Sequence, residues 1–281
     1  MYQPSELRAF LSAHGIQADR RLSQNFLVDG NVVRKAVDCA EIESDELVLE
    51  IGPGPGALTQ ELLNRGARVV AVDKDERLAQ ALDRFQTQDQ RLTIIAADIL
   101  SLSLSELLAD PKKAKVVANL PYSITTPILV RLLQVHDRLE SITVLVQKEV
   151  AERMAAPAGT KAYGSLSVLV QFWSTVKYQF TVSPSCFFPK PKVASAVVRL
   201  TLSPPPLPEE EHSSFFALTR HAFNHRRKML RGSLQHFFNK VDIEKALEAC
   251  QLSLSTRPEE LSVQHWVNLY HRLPRPTGRD V

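Results

Sequence analysis

Apolar and polar positions along this chain follow two rhythms. Short β-branched or leucine-rich runs fall at 47–51, 68–72, 92–97, 115–118 and 141–146, and the segments between them repeat their apolar residues at helical spacing. Strands that alternate with crossover helices predict an α/β fold around a mostly parallel sheet. Further extended candidates lie at 168–173, 176–182 and 194–202. The last two have no obvious helix between them, which predicts an antiparallel ending to the sheet.

Ser203-Pro204-Pro205-Pro206-Leu207-Pro208 breaks both rhythms, because proline removes backbone donors and biases its predecessor toward extended structure. The chain therefore divides into a domain over 1–203, a linker over 204–208 and a small all-helical domain over 209–281. Helices are expected at 209–223, 226–238, 241–249 and 258–271, the last opened by Thr256 ahead of Pro258 and Glu259.

Composition changes this picture little. The 281 residues are 44% hydrophobic and 23% charged with a formal net charge of +3, so an anionic partner is permitted and not demanded. Cys39, Cys186 and Cys250 lie far apart without CxxC spacing, which fits a reduced, cytoplasmic protein. No apolar run approaches the roughly 20 residues that span a bilayer, and residues 1–15 carry no readable leader. A soluble monomer without membrane contact is expected.

Candidate chemistry begins at Gly52-Pro53-Gly54-Pro55-Gly56, which follows the first strand and opens the helical run 57–65. Glycines there let the chain turn sharply and a ligand approach the backbone. The GxGxG spacing differs from the GxGxxG dinucleotide fingerprint, and both prolines lack the N–H that a phosphate would want. S-adenosylmethionine, which has no phosphates, fits better than NAD; a plain strand-to-helix turn is the simpler alternative. Asp73 ends the next strand about 20 residues on, where an acid can accept from ribose hydroxyls. A helix cap is its alternative role, although Asp75 is available for that. Asp98 ends the strand after it and could accept from an adenine amino group or simply close a turn.

Asn119-Leu120-Pro121-Tyr122 follows a buried strand. An adenine N6 amine is a poor nucleophile because its lone pair is delocalised into the ring. The Asn119 side-chain oxygen and the Leu120 carbonyl could accept its two N–H groups and aim the lone pair at a methyl donor. Pro121 restricts Leu120 and so fixes that carbonyl, while Tyr122 could stack on the unstacked base. An ordinary strand-end turn with Tyr122 in a core is equally compatible with these four residues alone.

Together these features, in this order, resemble the ribosomal RNA adenine dimethyltransferase family. Leu22-Ser23-Gln24-Asn25-Phe26-Leu27 is similar to that family's flap over the cofactor, and Phe187 to Ser195 is similar to its FxPxPxVxS signature. The similarity runs from about residue 20 to 200 and more loosely through the helical tail. It implies a Rossmann-like class I methyltransferase sheet with S-adenosylmethionine held by Asn25, Leu27, Gly52, Gly54, Asp73, Asp98 and Asn119. It also implies that Phe187 sandwiches the target base opposite Tyr122. Within the family it is strongest to bacterial members that dimethylate two adjacent adenosines near the 3′ end of 16S rRNA in the immature small subunit. Ser23 stands where the family usually has glycine, and Asp73 where it often has glutamate.

Positive charge concentrates at Arg220, Arg226, Arg227 and Lys228, with Lys190 and Lys192 flanking Pro191. RNA phosphates are candidate partners, against the plainer reading of a solvated face. His221 and His225 lack accompanying ligands at recognisable spacing, so no metal is expected. The competing functions are a non-catalytic RNA-binding or assembly factor on the same fold, a 23S rRNA adenine methyltransferase, and a methyltransferase for DNA adenine or a protein amide.

Overall fold

The apolar runs at 47–51, 68–72, 92–97, 115–118 and 141–146 become strands of one sheet in the computed structural model, which describes residues 4–16, 24–110, 112–225 and 228–274. Described residues group into two compact units, one drawn from Met1–Ala151 and Thr175–Ser203, the other from Glu152–Ser174 and Pro204–Val281.

In the first unit the chain runs α1 (Pro4–Ala13), β1 (Phe26–Leu27), α2 (Gly30–Ala40), β2 (Leu47–Ile51), α3 (Ala57–Asn64), β3 (Arg68–Asp73), α4 (Glu76–Gln80), β4 (Leu92–Ala96), α5 (Leu104–Leu107), β5 (Ala114–Asn119), α6 (Thr125–Gln134) and β6 (Leu139–Gln147). After α7 (Lys148–Ala155) and α8 (Ser165–Trp173) it closes with β7 (Ser174–Val182), β8 (Phe187–Phe188) and β9 (Ser195–Leu202). The large sheet has the order β4-β3-β2-β5-β6-β9-β7. Its first five strands are parallel, and β9 lies antiparallel to β6, as the missing helix before it predicted. Every residue of β2 is buried, as expected for a parallel strand covered on both faces. The main core joins Val33 and Val37 of α2 and Leu62 of α3 to Val48, Val69 and Val117 of the sheet. Asp29 opens α2 by accepting from the Asn31 and Val32 amides.

Strand order reverses between β2 and β5: β3 follows β2 on one side, and β5 lies on the other. Open α/β sheets bind ligands in the crevice beyond such a switch point.

The second unit contains α8 and the helices α9 (Glu209–Asn224), α10 (Leu230–Ser233), α11 (Lys240–Ala249) and α12 (Val263–Arg272). Residues 168–173, expected to be extended, belong to helix α8. The segment is mostly buried, and its single polar residue, Gln171, sets no period that separates strand from helix. The Ser167 hydroxyl accepts from the Gly164 amide and fixes where α8 starts. The phenylalanine rings of α8 and α9 then meet, Phe172 lying 5.0 Å from Phe215 and 4.9 Å from Phe216. For that reason 152–174 packs with the C-terminal helices, and the expected undivided 1–203 domain is corrected to one interrupted by this excursion.

Two further helices differ from expectation. Among the described residues of the run 226–238, helix is confined to α10, which contains Gly232, and a 3-10 turn at Leu234–His236. Pro258–Glu260 is a separate 3-10 turn, and α12 starts after Ser262, whose side chain accepts from the His265 amide.

Candidate active site

The ends of β2, β3 and β5 and the turn just after β4 converge on one pocket lined by Gly52, Gly54, Asp73, Asp98, Asn119 and Tyr122 among others. Parallel pairing brings this about. Ile51 lies opposite Val72 on one side and Ala118 on the other, so the residues that follow each strand emerge side by side.

The glycine loop is shaped by close approach. Gly54 adopts φ +54°, and a Cβ there would stand 2.9 Å from Phe26 Cδ1. Gly56 adopts φ +83° as it enters α3, where a Cβ would collide with Phe85. The N–H groups of the loop are spent internally: Gly52 donates to the Val72 carbonyl at 2.9 Å, Gly54 to Asp73 Oδ2 at 3.1 Å and Gly56 to the Pro53 carbonyl at 3.0 Å. With Pro53 and Pro55 donating nothing, the loop has no amide left for a pyrophosphate.

Asp73 is 8% exposed and also accepts from the Asp75 amide at 2.9 Å. Burial raises its carboxyl above the usual range, against the hydrogen bonds that lower it. Asp75 takes the capping role by accepting from the Arg77 amide, so Asp73 is kept for the pocket. Asp98 accepts from the Leu100 amide and from Lys74 Nζ, both at 2.9 Å, and the Lys74 ammonium holds its carboxyl below the ordinary value. Two carboxylates and a loop without spare donors suit a ligand rich in hydroxyl and amino donors and carrying positive charge. S-adenosylmethionine matches that donor set; a phosphate-bearing cofactor does not.

Asn119 ends β5 and donates from Nδ2 to the Asn25 carbonyl at 2.8 Å, which leaves Oδ1 as the end of the amide available to a substrate amine. Tyr122 follows in a 3-10 turn, half-buried, its hydroxyl 2.6 Å from Ser195 Oγ. Burial raises the Tyr122 phenol.

Two residues expected at the pocket do not line it. Leu27 and Phe187 pair across the β1–β8 ribbon and are both buried in the main core, Phe187 at 3% exposure, and neither lines the pocket. Residues opposite one another in a strand pair point to the same side, and their neighbours to the other. Phe26, unforeseen in the site, therefore lines the pocket, and Phe188 packs on its side with the Arg8 guanidinium 4.9 Å over the ring. Asn25 lines the pocket as expected. Other unforeseen lining residues are Lys74, Leu78, Ile99 and Ile128. Only Lys74 and Ile99, directly next to the two acids, carried any signal of it.

Of the basic residues, Lys190 and Lys192 are exposed on either side of buried Pro191 in the first unit, and Arg220 and Lys228 are exposed in the second. Arg226, Arg227, Leu22 and Ser23 lie outside the described residues. Among the described residues no group of three or more His, Cys, Asp or Glu side chains is placed to hold a metal ion, and no helix is long and apolar enough to cross a membrane.

Glu50, just before the loop, is fully buried. Thr59 Oγ1 donates to its Oε2 at 2.6 Å, whereas Oε1 has no partner among the described residues. Burial, assisted by the nearby Asp73 charge and opposed by the Thr59 bond, pushes its carboxyl from 4.5 up to about 8. The folded chain then holds a proton that the unfolded chain releases between those values, so this group's contribution to stability is lost as pH rises from about 4.5 to 8. Glu50→Gln is expected to melt close to the parent near the lower limit and at a higher temperature above the upper one. Melting profiles that run parallel across the whole range would refute this.

A family model described as ribosomal RNA adenine dimethylase matches residues 15–274. The ribosomal RNA small subunit methyltransferase A of Protochlamydia amoebophila is 49% identical over 277 residues, covering 97% of each chain. That of Chlamydia caviae is 44% identical over 272 residues, covering 96% of this chain and 97% of its own. Among solved structures, a dimethyladenosine transferase from Plasmodium falciparum aligns over 87% of this chain and 95% of its own with a TM-score of 0.74 and 25% identity. The 23S rRNA methyltransferase ErmE aligns over 89% and 99% with a TM-score of 0.71 and 26% identity.

Proposed function

Given that this chain belongs to the ribosomal RNA adenine dimethylase family, we propose that it transfers methyl groups from S-adenosylmethionine to N6 of two adjacent adenosines in a hairpin near the 3′ end of 16S rRNA. The substrate would be the immature small subunit in the cytoplasm, the modification a step in its maturation, and the active protein a monomer. The observation that carries the reading is the bond from Asn119 Nδ2 to the Asn25 carbonyl, which orients the amide in the wall of a donor-seeking pocket.

The bound cofactor supplies an electrophilic methyl group on a sulfonium. Asp73 would hold its ribose, Asp98 its adenine, and Asn25, Gly52 and Gly54 the remainder. Asn119 Oδ1 and the Leu120 carbonyl accept the two N–H groups of the target amine, which favours a pyramidal nitrogen with its lone pair free. Pro121 keeps Leu120 extended and its carbonyl in place. Tyr122 stacks on the flipped base, a contact worth roughly 1–3 kcal/mol. No strong base is needed, because the methylated nitrogen is acidic enough to release its proton to water. Lys190, Lys192, Arg220 and Lys228 would meet RNA phosphates, a role extended to Arg226 and Arg227 by their place in the same basic run.

The test is to incubate the protein and radiolabelled S-adenosylmethionine with unmethylated small-subunit particles, digest the RNA and separate the nucleosides. Label in N6-dimethyladenosine of 16S rRNA is expected. Label confined to 23S rRNA, DNA or protein would overturn the assignment.

A further inference from the structure

Phe187, the ring expected to complete the base pocket, lies in the core. Tyr122 is thus left without that aromatic partner, and how its ring is held becomes decisive. A phenol on a short 3-10 turn can swing about its Cα–Cβ bond unless something anchors its tip. The anchor is Ser195, whose Oγ lies 2.6 Å from the Tyr122 hydroxyl across 73 residues of sequence. Ser195 is itself immobilised. It has no exposed surface, it is the first residue of β9 and pairs in register with Gln147 of β6, and the adjoining Ala194 carbonyl accepts from the Lys148 amide at 2.9 Å. A hydroxyl fixed in the sheet therefore sets the tilt of a ring on the pocket wall.

We propose that Ser195 is a positioning residue for methyl transfer, holding the Tyr122 ring so that the stacked adenine presents N6 to Asn119 Oδ1. The inference rests on the reading of Tyr122 as the stacking wall. It assigns the last residue of the Phe187 to Ser195 segment a task in the reaction, and it explains physically why that segment accompanies Asn119 to Tyr122 in one chain. It also carries a directional consequence. The unmethylated amine has two N–H groups for Asn119 and Leu120, whereas the monomethylated amine has one, so stacking bears more of the alignment in the second transfer. Loss of the anchor should slow the second methylation more than the first.

The experiment compares the wild-type chain with Ser195→Ala, Tyr122→Phe and the double variant on unmethylated small-subunit particles, following N6-monomethyl- and N6-dimethyladenosine by mass spectrometry of digested RNA. Each single variant is expected to slow the second transfer relative to the first by roughly threefold to tenfold, the loss of one hydrogen bond, so that monomethyladenosine accumulates. The double variant should be no slower than either single one, because both remove the same bond. Ser195→Ala should retain the parent's S-adenosylmethionine affinity and melt within a few degrees of it, the cost of one hydrogen bond, which separates positioning from collapse of the fold. A Ser195→Ala variant with the wild-type ratio of products, or a double variant whose losses multiply, would overturn the proposal while leaving the proposed function intact. A wild-type chain that puts no methyl on adenine N6 would overturn both.

Discussion

Asn119→Ala is expected to lower kcat by roughly 10²- to 10³-fold, the cost of removing one preorganised polar group that acts mainly in the transition state. The Asn119 amide sits at the end of a buried strand with its NH2 committed to the Asn25 carbonyl, so no reorganisation is needed when the substrate amine arrives. Cofactor affinity should change far less, because Asp73, Asp98 and the glycine loop remain in place. Asn119→Asp is the informative companion. Its carboxylate can still accept from the amine but cannot donate to Asn25, so it faces that carbonyl with an unfavourable dipole and should fall between the parent and the alanine variant. Single-turnover rates with labelled cofactor and saturating particles measure both. An alanine variant that kept more than about a tenth of the parental rate would remove Asn119 from the role given to it.

The second large effect is on binding. Asp73→Ala is expected to weaken S-adenosylmethionine by about 10²-fold or more, since hydrogen bonds to a charged acceptor contribute roughly 1.5–3 kcal/mol each. The carboxylate is nearly buried and already tied to the Gly54 and Asp75 amides, so a ligand meets an acceptor that is both fixed and desolvated. Its removal also leaves the Gly54 N–H without a partner and loosens the loop against Phe26. Asp73→Asn keeps the volume but turns an amide NH2 toward one of those two donors, so it should lose most of the same affinity. Calorimetric titration of cofactor into each protein gives the values, and an alanine variant within about threefold of the parent would rule out the ribose role.

The strands were legible where an apolar run was flanked by turn residues, and so were the acids at or just beyond their ends. Residues 168–173 were not, because one polar residue, Gln171, in a mostly buried run marks no polar face. Leu27 and Phe187, expected at the pocket, lie in the core, while Phe26 lines it. The error is one residue in a ribbon whose side chains alternate, and only its pairing with β8 shows which set faces inward. The 152–174 excursion was equally hidden, since it depends on aromatic rings from α8 and α9 that lie some 40 residues apart in the chain.

By itself the sequence determined what acts through a few neighbouring residues: the succession of strands and helices, the chemistry at or just past each strand end, and the phosphate-poor character of a loop built on Pro53 and Pro55. Backbone restriction by proline and glycine is local, so it is written locally. Tertiary structure alone decided that all three loop glycines spend their N–H groups internally, that Asn119 turns its NH2 to Asn25, and that Tyr122 is anchored by Ser195. Each of those depends on the register between distant segments, which is set by the packing of the whole sheet.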